Sequence, residues 1–288
     1  MTAVTITHGA VITEPGVYDI PEDWYHRDPV PGASLSASGA KKLLACPARF
    51  FYDRAHSPQP STAMEMGTAA HKMVFGIGAQ VVLVDAENWR TKAAQQEAAD
   101  ARAQGHVPLL PGDYAKAKAI ADAVRRHPVA SALFSLDRGD PEQSLFWTDP
   151  ETGVWLRARL DWLPRPVPGR RTVIADLKTC ASATPHAIAK AVADYGYFIQ
   201  APWYVDAVRA LGLDDDPEFA LVFVETAPPH LITVAALDED AMAFGRAEGR
   251  KAIERFRDCT ESGIWPGYSN EIQWVSLPPW VRRRGDDE

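Results

Sequence analysis

Apolar positions in the first 34 residues show no helical period, and Pro15, Pro21, Pro29 and Pro31 break the stretch repeatedly. It is therefore predicted to be an extended arm with a short strand at Ala10–Ile12. The pattern changes at Leu35-Ser36-Ala37-Ser38, where Ser36 or Ser38 can cap a helix carrying Leu43, Leu44, Phe50 and Phe51. Pro47 must interrupt or restart that helix, because proline has no N–H to donate. Helical spacing returns over Thr62–Phe75, closed by Gly76-Ile77-Gly78, and then over 86–104 and 114–127 on either side of Pro111-Gly112.

Past Pro141 the period shortens to that of strands. Three are predicted, at Gln143–Thr148, Val154–Leu163 and Arg171–Thr179, the first two joined by a turn at Asp149–Gly153. Helices follow at Thr184–Asp194 and Phe198–Leu211, where Pro202 is tolerable only in the first turn. Strands at Phe219–Val224 and Leu231–Ala236 and a long helix over Asp238–Cys259 complete the pattern ahead of a Trp/Pro-rich tail. This order suggests one α/β domain with a mixed sheet, its N-terminal helical part folded over it.

Composition agrees with a packed globular protein: of 288 residues, 46% are hydrophobic and 24% charged. No apolar run reaches the roughly 18 residues that span a bilayer, and the N-terminus lacks a basic start followed by an apolar stretch, so neither a membrane span nor a signal peptide is read. Cys46, Cys180 and Cys259 are too few and too scattered for a disulfide framework, which fits a reducing, cytoplasmic setting.

The net charge of −8 discourages a polyanionic partner at first sight, yet the excess is local. Residues 214–240 hold eight acids and no Lys or Arg, whereas Lys41–Arg54 and Arg157–Lys178 are each net positive. Binding of a polyanion follows the local potential, so a basic groove is compatible with an acidic total. Random clumping of surface charge explains the same numbers.

Candidate chemistry lies in the strand cluster, at Arg159-Leu160-Asp161-Trp162 and Ile174-Ala175-Asp176-Leu177-Lys178-Thr179. Residues two apart on a strand share a face, so Asp176 and Lys178 emerge together, and the intervening turn can fold Asp161 back beside them. Two carboxylates with the backbone carbonyl of Leu177 make an oxygen-rich pocket of the kind Mg²⁺ or Mn²⁺ accepts. Lys178 would then hold the attacking water or neutralise charge developing on phosphorus. Each half alone also reads as a surface salt bridge. Gln200 and Tyr204, four apart, share a helix face and can orient a phosphate or the lysine, although Tyr204 also suits a core position with its hydroxyl reaching out. Gly67-Thr68-Ala69-Ala70-His71 places small residues one turn before a histidine, so that helix can pack closely on a sheet and present the imidazole there.

Together with Leu35-Ser36-Ala37-Ser38 and Cys46-Pro47-Ala48-Arg49-Phe50, these motifs resemble the PD-(D/E)xK nucleases of the RecB-like branch, closest to the RecE/exonuclease VIII group of phages and prophages. The resemblance implies a single restriction-endonuclease-like domain over residues 35–265, a central mixed sheet flanked by helices, with the arm at 1–34 and a tail at 266–288. It assigns metal binding to His71, Asp161 and Asp176, beside the Leu177 carbonyl of the pocket read above, catalysis to Lys178, and support to Gln200 and Tyr204. Glu142, just before the first strand of the cluster, stands where an additional family acid is expected.

The implied activity is an Mg²⁺-dependent exonuclease, with Mn²⁺ able to substitute, acting 5′ to 3′ on linear double-stranded DNA in the cytoplasm of a bacterial host. It would leave 3′ single-stranded tails for an annealing protein and work as a ring-like homo-oligomer, a tetramer by resemblance, with no membrane partner. Some relatives carry an iron–sulfur cluster on one N-terminal and three C-terminal cysteines. Here only Cys46 and Cys259 occupy such regions, so no cluster is expected. The rival readings are a RecB-like nuclease of another polarity or flap specificity, a noncatalytic DNA-binding subunit of the same fold, and a hydrolase of small phosphoesters.

Overall fold

The protein was analysed as a computed structural model, which describes residues 3–6, 9–56, 61–135 and 137–277. The N-terminal quarter runs through β1 (Val4–Thr5), β2 (Gly16–Asp19), α1 (Glu22–His26), β3 (Ser34–Ser36), α2 (Ala37–Ala45), α3 (Pro47–Ala55) and α4 (Thr62–Phe75). Next come β4 (Val81–Leu83), α5 (Lys92–Ala103), β5 (Val107–Leu109), α6 (Pro111–Arg126) and α7 (Pro128–Leu133), with β4 and β5 forming a two-stranded sheet of their own. The remainder holds β6 (Gly139–Thr148), β7 (Trp155–Pro164), β8 (Val173–Cys180), α8 (Pro185–Tyr195), α9 (Tyr197–Ala210), β9 (Glu218–Glu225), β10 (Ile232–Ala235) and α10 (Glu239–Ser262).

Local signals account for most helix ends. Ser36 caps α2 by accepting from the Gly39 N–H, and Pro47 opens α3 at its first position. Ser61 accepts from the Met64 N–H at the start of α4, and Gly76 closes it in a left-handed conformation at φ 76°. One predicted exclusion is overturned: Pro202 lies inside α9, beyond its first turn. The carbonyl four residues earlier, Phe198, loses its helical partner there, and α10 closes over it at Gly245. A Cβ at 245 would stand 1.7 Å from that oxygen, so only glycine permits the approach.

The central sheet has the order β1-β2-β6-β7-β8-β9-β10, with β3 added beside β7. It is mixed: β6–β7 and β9–β10 pair antiparallel, while β8–β9 and β3–β7 pair parallel. Alternate residues enter opposite cores. Ile174, Phe219, Leu221 and Phe223 join the cluster beneath α2, α9 and α10. Ala175, Leu177, Val222 and Val224 join the one beneath α4 and α6. The sheet is thus flanked by helices on both faces, the α/β architecture expected.

Residues 1–34, predicted as an arm, are instead woven into this sheet through β1 and β2; residues 1, 2, 7 and 8 lie outside the described residues. Val17 and Tyr18 are buried against β6, and Ile12 is buried without joining a ladder. The prolines that suggested an arm sit at the bends between these short pieces. Strands β4 and β5 escape the periodicity because three residues carry too little pattern. Of the tail expected over 266–288, residues 278–288 lie outside the described residues. Its beginning is anchored, the Pro266 carbonyl accepting from the Ala48 N–H at 3.1 Å. Among the described residues, no helix is long and apolar enough to cross a membrane.

Candidate active site where two strands part

Strands β7 and β8 meet at a single rung, Trp162 with Ala175, and then separate. The first half of β7 is taken by β3, through Ser34–Trp155 to Ser36–Arg157. On its other side β8 stays fully paired with β9. In a parallel ladder both main-chain groups of one residue point to the same neighbour, so those of Leu177 face the gap. Buried main-chain groups must find partners, and here side chains supply them. The Leu177 N–H donates to Asp161 Oδ2 at 2.7 Å, and its carbonyl accepts from His71 Nε2 at 2.9 Å.

His71 arrives on α4, which packs tightly through the fully buried Ala69 and Ala70. Gly67 faces Thr179, where an added methyl would make only ordinary contact at 3.5 Å. The imidazole lies 3.5 Å from Asp161 Oδ2 through Nε2 and 4.0 Å from Glu142 Oε1 through Nδ1. Glu142 sits between the rungs Pro141–Trp162 and Gln143–Leu160 with φ at 57°, a left-handed conformation costing a non-glycine residue roughly 1–3 kcal/mol. Arg159 holds the strained residue in place, its Nε donating to Glu142 Oε2 at 2.8 Å and its Nη1 to Ser144 Oγ and the Ile20 carbonyl.

Across the gap stand Asp176 and Lys178. Asp176 is only 1% exposed. Its Oδ1 accepts from Gln200 Nε2 at 2.7 Å, and its Oδ2 lies 2.5 Å from Lys178 Nζ. That Oδ2 contact is an ion pair without proper hydrogen-bond geometry. Lys178 Nζ also lies 4.8 Å from the centre of the Tyr197 ring. The Tyr204 hydroxyl donates to the Arg159 carbonyl at 2.9 Å, so it braces β7, while Gln200 holds the carboxylate. Their hydrogen bonds therefore go to the strand and the acid rather than to the lysine, the partner the spacing had also allowed.

The electrostatics follow from this crowding. Burial drives the Asp161 carboxyl up to about 7, and the neighbouring Asp176 adds to the rise despite His71 and Lys178. Burial alone would lower His71, but Asp161, Glu142 and the Leu177 carbonyl raise it to about 9. Lys178 is likewise disfavoured by burial and carried well above its usual value by Asp176 and Asp161. Burial raises Tyr204 far above the phenol range.

One ligand atom each from His71, Glu142 and Asp161 lies within 4.8 Å of the others. An imidazole nitrogen with carboxylate oxygens suits a divalent cation. Burial and the neighbouring Asp176 both oppose the Asp161 charge, and Asp176 Oδ2 has no hydrogen-bond donor, so a cation at this point would relieve both and the residues fit such an ion. The sequence motifs therefore converge, with Glu142 nearer to His71 and Asp161 than the spacing revealed. The role of Arg159 and the presence of Glu22, Tyr25 and His26 in the cleft wall were not read. They depend on β2 joining the sheet, which leaves no local signal.

The cleft above these groups encloses about 400 Å³. Of the basic residues in the two stretches, only Arg159 and Lys178 line it, and most of the other arginines are drawn into ion pairs. Arg157 is paired with Asp28, Arg159 with Glu142, Arg165 with Asp140 and Arg171 with Asp216 and Glu218. Lys42 and Arg54 engage Asp53 and Asp28. None of the eight acids of 214–240 lines the cleft either.

A family model described as a PDDEXK-like domain of unknown function (DUF3799) matches residues 36–278. The crystal structure of a candidate exonuclease from Eubacterium rectale is similar at a TM-score of 0.58 and 15% identity, covering 88% of this chain and 93% of that one. A phage-related exonuclease from Haemophilus somnus 129PT aligns over 81% of this chain and 98% of its own at 12% identity, with a TM-score of 0.33. No curated protein matches the sequence. A match across most of the chain, over a mixed sheet that carries an acid and an acid-x-lysine at the parting of two strands, places this protein in the PDDEXK-like family DUF3799.

Proposed function

We propose that the protein is a divalent-metal-dependent deoxyribonuclease of the RecE-like kind, an exonuclease that enters linear double-stranded DNA at its ends. The carrying observation is the junction at Leu177, where His71, Asp161 and Glu142 on one side meet Asp176 and Lys178 on the other. His71, Asp161, Asp176, Glu142 and the Leu177 carbonyl would hold Mg²⁺, or Mn²⁺ in its place. When bound, the ion lowers the pKa of a water and stabilises charge on phosphate oxygens.

The remaining chemistry belongs to the chain. Asp176 and Asp161 favour the charged form of Lys178, so it would serve as a positive charge at the phosphate and orient the attacking water. Gln200 keeps Asp176 turned toward the lysine, and Tyr204 keeps β7 at its distance. Arg159 aims Glu142.

The polarity, 5′ to 3′ with 3′ single-stranded tails passed to an annealing protein, rests on the motif resemblance, as does a ring-like tetramer in a bacterial cytoplasm. An acidic 214–240 region away from the cleft suits an outward face of such a ring. The domain would span 35–265. The test is a time course with Mg²⁺ on 5′- and 3′-labelled blunt linear duplex beside a circular control. Loss of the 5′ label as mononucleotides with the circle intact is expected. Release of the 3′ label first would reverse the polarity, cutting of the circle would remove the exonuclease, and retardation without degradation would leave a binding module.

A further inference from the structure

A strip of two aromatic rings with a lysine at each end leads from Lys178 to the rim of the cleft. Lys178 Nζ lies 4.8 Å from the centre of the Tyr197 ring. The Tyr197 and Tyr195 rings are 5.7 Å apart and inclined at 36°. Lys41 Nζ lies 5.8 Å from the centre of the Tyr195 ring and donates to the Asp194 carbonyl. Tyr195, Gly196 and Tyr197 all line the cleft, as do Ser36 and Ser38.

The strip is built by the α8–α9 junction. Gly196 ends α8 in a left-handed conformation at φ 71°, and a Cβ there would meet Lys41 Cδ at 2.8 Å. This tight turn sets the two tyrosines on the same side with the lysine stem against the main chain. Tyr195 is nevertheless 65% exposed. An aromatic face held rigidly at the mouth of a site, with ammonium groups on both sides, is suited to a flexible polyanion that carries flat rings. The nearby arginines are engaged in ion pairs, Arg157 with Asp28 and Arg159 with Glu142, whereas Lys41 stands at the rim beside the exposed Tyr195.

We propose that the strip is the track of one nucleic-acid strand entering or leaving the cleft, with a nucleobase stacked on Tyr195 and the adjoining phosphate met by Lys41. The inference rests on the nuclease reading and deepens it. Stacking on a ring needs no base-edge contacts, so the grip is tolerant of sequence.

The experiment measures equilibrium binding of phosphorothioate-linked single-stranded oligonucleotides of about ten nucleotides, in Ca²⁺, by fluorescence anisotropy. One series is intact and the other carries a single abasic position moved along the chain. The wild-type protein should lose roughly tenfold in affinity when one particular base is missing. Tyr195→Ala should bind both series alike at the weaker level, and Tyr195→Phe should behave as wild type. Lys41→Ala should lower the slope of log affinity against log salt by about one. If the wild type binds and Tyr195→Ala keeps the full abasic penalty, the strip is not the track and the nuclease reading stands. If the wild type binds none of these single strands, the track falls, and the nuclease reading is decided by the end-labelled duplex assay alone.

Discussion

The main-chain N–H of Leu177 donates to Asp161 Oδ2 at 2.7 Å, across the point where β7 and β8 separate. A side chain thus replaces a ladder acceptor, and one acid secures the strand junction while facing His71 3.5 Å away. Ordinary pairing there would have hidden these groups in the sheet.

Asp161→Asn separates the two duties. The amide oxygen can still accept from Leu177, and the substitution removes a carboxylate that Asp176 and burial oppose. Without metal at pH 8, the Asp161→Asn variant should melt no lower than wild type. The rise in Tm produced by Mn²⁺ should vanish, and cleavage should fall by about 100-fold or more. A cooperative loss of folding would show that the carboxylate is structural.

Lys178→Ala leaves Asp176 buried without its cation, which costs about 3–5 kcal/mol when an interior pair is broken. Thermal unfolding in EDTA should show that loss, and Mn²⁺ should restore part of it by supplying charge. Cleavage should stay absent in both conditions. An unchanged Tm in EDTA would mean that the ion pair contributes little.

Metal affinity should rise with pH. Asp161 titrates near 7 and His71 near 9, both above their ordinary values of 3.8 and 6.5. Raised values mean that the metal-free fold favours the protonated forms. Their contribution is complete below the ordinary values and is lost as pH climbs through 7 and then 9. A divalent ion must displace those protons, so Kd should tighten by up to about a hundredfold per pH unit below 7, where both are displaced, and by up to about tenfold per unit from 7 to 9, with proton release in calorimetry. A pH-independent Kd would place the ion elsewhere.

Arg250 on α10 forks onto the buried Asp149 in the β6–β7 turn, at 3.1 and 2.8 Å. Burial opposes the Asp149 charge, but Arg250 and Thr152 outweigh it and hold the carboxyl below its usual value. That stability is present above pH 3.8 and is lost as pH falls through the lowered value. Arg250→Ala should cost roughly 1–3 kcal/mol in urea unfolding at pH 7, flatten the acid limb and spare kcat.

Gly245→Ala should be among the most damaging single changes. Its Cβ would collide with the Phe198 carbonyl, so α10 must move off α9, at about 1–3 kcal/mol or more. Urea unfolding that matches wild type would show that the two helices have room to shift.

Much of this protein is written locally. Ser36, Pro47, Thr62–Phe75 with Gly76, and Asp238 mark helix ends because capping and proline chemistry act within a few residues. The strand period likewise sets Asp176 and Lys178 side by side. What required the folded chain was long-range geometry. The divergence of β7 from β8, the entry of β2 and β3 into the sheet, the left-handed Glu142 steadied by Arg159, and Pro202 inside α9 over Gly245 all join residues far apart in sequence. Periodicity reports which face a residue shares with its neighbours. Which distant groups meet across a gap is decided by how the layers pack and by which main-chain groups remain to be satisfied.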